Sequence, residues 1–163
     1  MSPRVRKGVI VAVIHVALVA SLGAKMLADR AMRPRVWARV VPFDPNLPIR
    51  GRYVRMAIEA PADSSVQSAY WGEFEPALRN DELVFVPADE NGLRGSAELR
   101  NGRYVVVLRE PLAYFIPEHV PDPSIRPAGE ELWVEVTLPR RGAPRPIRLG
   151  VKRAGVLTPL KLD

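Results

Sequence analysis

Residues 51–59 read GRYVRMAIE, and the alternation inside them decides the fold class. Val54, Met56 and Ile58 fall on one face, with Tyr53, Arg55, Ala57 and Glu59 on the other. A period of two describes a half-buried strand. Residues 102–110 echo the stretch as GRYVVVLRE. This second copy is apolar on both faces, which predicts the more buried strand of the two. Extending the match in either direction finds nothing more, so a similar entry from turn to strand is favoured over a long internal repeat.

The same period recurs on both sides. Val36–Val41 reads as a first strand, followed by the rigid loop PFDPNLP. Residues 61–80, carrying Tyr70, Trp71 and Phe74, keep neither period and are expected to form a long excursion with a short helix. Strands are predicted over 82–87, 94–99 and 103–109, with turns at Asn91-Gly92 and Asn101-Gly102, where both residues tolerate positive φ. Leu132, Val134, Val136 and Leu138 alternate with Trp133, Glu135 and Thr137. Ile147, Leu149 and Val151 continue beyond the turn PRRGAP, and a last strand is expected near 156–160. About eight short strands imply a mainly β domain, an antiparallel sandwich or partly open barrel.

The 163 residues allow one domain, and 17 prolines with 11 glycines suit short strands joined by turns. Without cysteine there is no disulfide framework and no thiolate chemistry. The net charge of +6 lies wholly at one end. Residues 1–35 carry seven basic side chains against Asp29, whereas residues 36–163 carry 17 of each sign. A neutral domain lacks the field that drives phosphate-backbone binding, which argues against nucleic acid as a partner.

Arg4, Arg6 and Lys7 form a basic tail over 1–7. The uncharged run GVIVAVIHVALVASLGA follows, and Lys25 can snorkel while Met26–Ala28 adds apolar length. A transmembrane anchor over 8–28 is therefore predicted, leading into a basic juxtamembrane segment over 29–35 and the β domain over 36–163. A cleaved signal peptide is the alternative, with small-residue sites at Ser21–Gly23 and Leu22–Ala24. Helical character continuing past Ala24 favours the anchor. His15 lies inside the run, where a neutral imidazole bonded to a backbone carbonyl is expected. Three basic side chains before the run against four after it lean slightly towards a cytoplasmic domain, but the lean is weak and charge alone leaves the orientation open.

The segment VWARVVPFDPNLPIRGRYVRMAIEA resembles the GDYXXLXY family of membrane-anchored bacterial proteins. Asp44-Pro45 supplies the loop that precedes the family's strand, and Gly51 and Tyr53 match it directly. Met56 and Ile58 stand where the family has leucine and tyrosine, and Arg52 replaces its aspartate. EPLAYFIPEH is similar to a second family segment through Tyr114, Phe115, Pro117 and Glu118. The resemblance implies an anchored domain in the inner membrane, with a cytoplasmic N-terminus and an extracytoplasmic β domain. It also implies an integral membrane protein as partner, beside the bilayer itself.

Candidate chemistry is sparse. Glu118-His119 is the domain's one pairing of an acid with a histidine, and Asp122 is near in sequence. A general acid/base or metal site would need further groups, so an exposed polar loop is the plainer expectation. A Ser-Lys hydrolase would draw on Ser64, Ser65, Ser68, Ser96 or Ser124 with Lys152 or Lys161. Neither lysine sits in an apolar setting that would depress its pKa. No phosphate-binding loop, nucleophile elbow or paired zinc motif is present, so no catalytic residue, cofactor or small-molecule ligand is expected. Residues 139–161 hold seven basic side chains and no acid, while 110–135 hold six acids against Arg126. Either the basic hairpin docks on an anionic surface, or the two regions neighbour and neutralise each other. Tyr53 and Arg55 are the interface candidates, since both residue types are enriched at binding hot spots. The reading is an anchored accessory or interaction module, with an envelope hydrolase as the alternative.

Overall fold

The computed structural model describes residues 3–43 and 52–162. They divide into two compact units, Met1–Arg33 and Pro34–Asp163. The first is one helix, α1 (Pro3–Met32). Its apolar span, Val5–Ala28, is 24 residues long. At 1.5 Å per residue it measures about 36 Å, against a hydrocarbon thickness of about 30 Å. No side chain of the span is buried within the molecule.

The second unit is an open, curled sheet of ten antiparallel strands. These are β1 (Arg35–Pro42), β2 (Arg52–Pro61), β3 (Tyr70–Arg79), β4 (Glu82–Ala88) and β5 (Leu93–Arg100). They continue with β6 (Arg103–Leu108), β7 (Leu112–Ile116), β8 (Glu130–Thr137), β9 (Arg145–Arg153) and β10 (Val156–Pro159). The spatial order is β10-β9-β8-β1-β2-β6-β5-β3-β4, with β7 also paired to β2. Beyond its last strand pair, the chain leaving β2 meets β4 through the Ala62–Phe85 bridge. The curl thus brings the last strand of the order back to the middle of the sheet.

Turn chemistry explains the hairpins. Asn101-Gly102 and Asn80-Asp81 hold positive φ at both positions, the geometry whose twist matches two flanking strands. Asparagine and glycine adopt it at least steric cost. The inward faces then supply one core. Val54, Met56 and Ile58 of β2 meet Phe74, Phe85, Val106, Val134 and Leu149, all within 1% of full burial.

Three expectations need correction. Residues 70–79 form β3 rather than a helix-bearing excursion: Tyr70, Gly72 and Phe74 face inward, but Gly72 and Pro76 hid the alternation. Proline is tolerated there because the ladder to β5 ends at Phe74. A strand was also missed at β7, whose five residues sit between Pro111 and Pro117. With β3 and β7 the eight expected strands become ten. Finally, the echo strands pair with each other through Glu59–Val107, yet the first copy is the more buried. Ala57 and Glu59 are covered on the outer face of β2, whereas Val105 and Val107 of β6 stay half-exposed. Long arginine side chains close over one and not the other.

Phe74 and Trp71 lie on opposite faces of β3, so truncating each reports the register. Phe74→Ala should cost about 3–5 kcal/mol, as for a fully buried ring. Trp71→Ala, at a side chain 69% exposed, should cost less than about 1 kcal/mol. Denaturant unfolding of the full chain in mild detergent checks both.

Candidate interaction face

The two segments singled out in the sequence are neighbouring strands. β7 pairs with the first half of β2 in the register Tyr53–Phe115, Val54–Tyr114 and Arg55–Ala113. Alternation turns Val54, Tyr114 and Ile116 into the core and Tyr53, Arg55 and Phe115 outward. Tyr53 and Phe115 are 49% and 56% exposed and meet edge to face, their ring centroids 5.5 Å apart. The Arg55 guanidinium lies 5.1 Å from the Phe43 ring centroid, and the Phe43 N–H donates to the Arg55 carbonyl at 3.1 Å. The result is an exposed pair of aromatic rings with a half-buried arginine–phenylalanine stack, whose arginine lies on the same strand as Tyr53. On the inner side, Tyr114 reaches across to donate its hydroxyl to the Ile147 carbonyl of β9 at 3.4 Å. Asp44, Pro45 and Gly51 lie outside the described residues.

The other candidates do not converge. Pro117 opens a tight turn in which its carbonyl accepts from the Val120 N–H at 3.1 Å, with Glu118 and His119 both exposed. The Asp122 carboxylate accepts from both the N–H and the hydroxyl of Ser124 at 2.8 Å, a turn-forming role. No group of three His, Cys, Asp or Glu side chains among the described residues is placed to hold a metal. Ser64, Ser65 and Ser68 are exposed, and buried Ser96 donates to Glu98 at 3.0 Å. Lys152 on β9 sits five strands away from Ser96 on β5 in the sheet order, its ammonium 4.5 Å from the Trp133 ring centroid. In α1, His15 Nδ1 lies 2.8 Å from the Val11 carbonyl. A carbonyl can only accept, so Nδ1–H donates, the backbone bond expected of this side chain.

One polar cluster escaped the sequence reading. Glu59, only 5% exposed, accepts from both Arg39 and Arg100 on the outer face of the sheet. Arg39 also bonds Glu131 at 3.2 Å, whose carboxylate accepts from the Trp133 indole at 3.2 Å. Arg100 likewise bonds Glu98 at 2.9 Å. Burial of an acid without partners would be costly, and two guanidinium groups remove that cost. A cleft of about 260 Å³ opens here between β1, β2 and β4, but its Glu59 and Glu131 carboxylates are both held by Arg39. The arrangement is a structural clamp rather than an acid/base pair. No local pattern announces it, because its members come from four strands.

The acidic and basic regions do meet. β8 pairs with β9, and Glu135 bonds Arg148 at 2.7 Å while Glu130 bonds Arg153. Trp37 extends this face: it lies against Gly150, where a Cβ would come within 2.8 Å of the indole. Arg148 stacks 5.4 Å from the Trp37 ring centroid.

No known family model, characterised protein or solved structure matches the chain. What the molecule presents is a single apolar helix of membrane-spanning length followed by a curled β sheet. That architecture fits a single-pass, membrane-anchored accessory domain.

The clamp carries a pH signature. The Glu98 carboxyl is held below its ordinary value of 4.5, first by the Arg100 hydrogen bond and then by the Ser96 hydroxyl. A depressed folded-state pKa gives stability that is full above the unfolded value and lost as pH falls through the folded one. Stability should therefore begin to drop below about pH 4.5. Glu98→Gln should flatten that part of the profile, read as denaturant midpoints across the acid range.

Proposed function

We infer that the chain is a single-pass membrane protein with an extracytoplasmic β domain. The domain acts as a non-catalytic accessory module and docks on an integral membrane protein through Tyr53, Phe115 and Arg55. The observation that carries this reading is the pairing of the two singled-out segments, which sets an edge-to-face aromatic pair on the surface. Aromatic side chains beside arginine are the usual anchors of binding hot spots, and rings on a strand lose little entropy on binding. The segments behind the resemblance to the GDYXXLXY family are the same two that build the face. That resemblance supports both the membrane partner and the extracytoplasmic side.

Two measurements test the reading. The chain has no cysteine, so Ser64→Cys at an exposed position creates a single label site. A membrane-impermeant maleimide should label it in intact cells, and labelling only after lysis overturns the extracytoplasmic side. The partner is sought by co-purification of the tagged full chain from its native membrane in mild detergent. Tyr53→Ala with Phe115→Ala should reduce recovery of the bound membrane protein more than tenfold, since hot-spot truncation costs about 2 kcal/mol or more. Trp71→Ala, exposed elsewhere on the domain, should leave recovery unchanged. Recovery of the unaltered chain only as a lone monomer sinks the module.

A further inference from the structure

Pairing with β9 neutralises much of β8, but the loop between them is different. Leu138–Pro144 joins β8 to β9, and Arg145 opens β9. Leu138 and Pro144 are buried and Ala143 packs on the core, so the loop is rooted at both ends. Arg140, Arg141 and Gly142 stand exposed at its tip, with Gly142 at a φ of 87°.

Register places this loop where the chain enters the domain. Arg35 pairs with Thr137, Thr137 pairs with Arg145, and the Leu138 N–H donates to the Pro34 carbonyl at 3.1 Å. Arg35, Arg140, Arg141 and Arg145 are all exposed, and none has an ion-pair partner among the described residues. Glu75 and Glu90 border a recess of about 570 Å³ that Arg140 and Arg141 also line. Four guanidinium groups stand against the two carboxylates that line this recess, while the nearby Glu73 carboxylate is held by the Gly92 N–H at 2.9 Å.

Covalent continuity says what this charge meets. The apolar span ends at Ala28 and helical residues continue to Met32. Four residues of helix rise about 6 Å, close to the thickness of one headgroup layer. Pro34 follows within two residues, which add at most about 7 Å. We propose that the β8–β9 loop, with Arg35, Arg140, Arg141 and Arg145, is a docking surface for the phosphate headgroups of anionic phospholipid. Guanidinium groups suit it, because each can bond two phosphate oxygens at once. The proposal rests on α1 spanning the bilayer and leaves the Tyr53–Phe115 face available to a protein.

The test uses the full chain in lipid nanodiscs of phosphatidylcholine alone, or of phosphatidylcholine mixed with phosphatidylglycerol. A lipid carrying a nitroxide on its headgroup reports proximity through broadening of backbone amide signals. The Gly142 amide should broaden strongly in the anionic discs and weakly in the neutral ones. Gly155, beyond the opposite end of β9, should broaden in neither. Arg140→Glu with Arg141→Glu should reduce the docked population at least about 30-fold, since each basic side chain near an anionic surface contributes about fivefold. The rest of the spectrum should be unchanged, which certifies the fold. Failure of the chain to co-elute with the discs overturns the membrane-anchored reading and this proposal with it. Incorporation with Gly142 unbroadened in anionic discs overturns the docking alone. So does broadening that ignores both phosphatidylglycerol and the two arginines, which would reflect the tether only.

Discussion

The hydrogen-bonding edges of β2 are the constraint on which the rest of the domain depends. Its ten residues extend about 33 Å, longer than any one neighbour can cover. Along one edge β1 takes Met56–Glu59. Along the other, β7 takes Arg52–Met56 and β6 takes Glu59–Pro61. Unpaired backbone groups in a buried strand are costly, so the strand recruits two partners end to end. This division is what makes the sheet curl. β6 leads through β5 and β3 to β4, which returns to the chain leaving β2, while β7 lies close enough to β9 for Tyr114 to bond its backbone.

The outer face needs a different device. A sheet with one face to solvent can leave polar side chains free, yet Glu59 and Glu135 are buried there. Each is reached by arginine, and Arg39 and Arg100 each serve two carboxylates. A lysine ammonium could match neither that reach nor that fork geometry. The composition, with 20 arginines among 24 basic residues, thus has structural uses in this domain. Other arginines stack on aromatic rings, Arg148 on Trp37, Arg109 on Trp71 and Arg55 on Phe43.

The sequence was most legible where period and turn agreed. Val54, Met56 and Ile58, and likewise Leu132, Val134 and Val136, announced strands by alternation alone. Asn101-Gly102 marked a hairpin because its φ requirement is local. β3 was hidden by a glycine and a proline inside it, and β7 by its brevity between two prolines. The relative burial of β2 and β6 was misread because burial of Glu59 depends on Arg39 and Arg100, side chains distant in sequence. The interaction face was half visible. Tyr53 and Arg55 could be placed on the outward side of a strand, but only strand pairing over a 62-residue separation put Phe115 beside Tyr53.

That separation has a consequence in time. At synthesis rates of about 5–20 residues per second, β7 emerges about 3–12 s after the stretch of β2 it covers. Throughout that interval the first half of β2 has one bare edge, the kind of exposed strand that invites wrong pairing. Arg52 and Arg55 lie along it, and charge at such positions discourages association between chains. An aspartate in place of Arg52 would keep a charge at that point but reverse its sign. The two arginines in GRYVR are therefore suited to guarding an unfinished sheet, whatever they contribute once the sheet is complete.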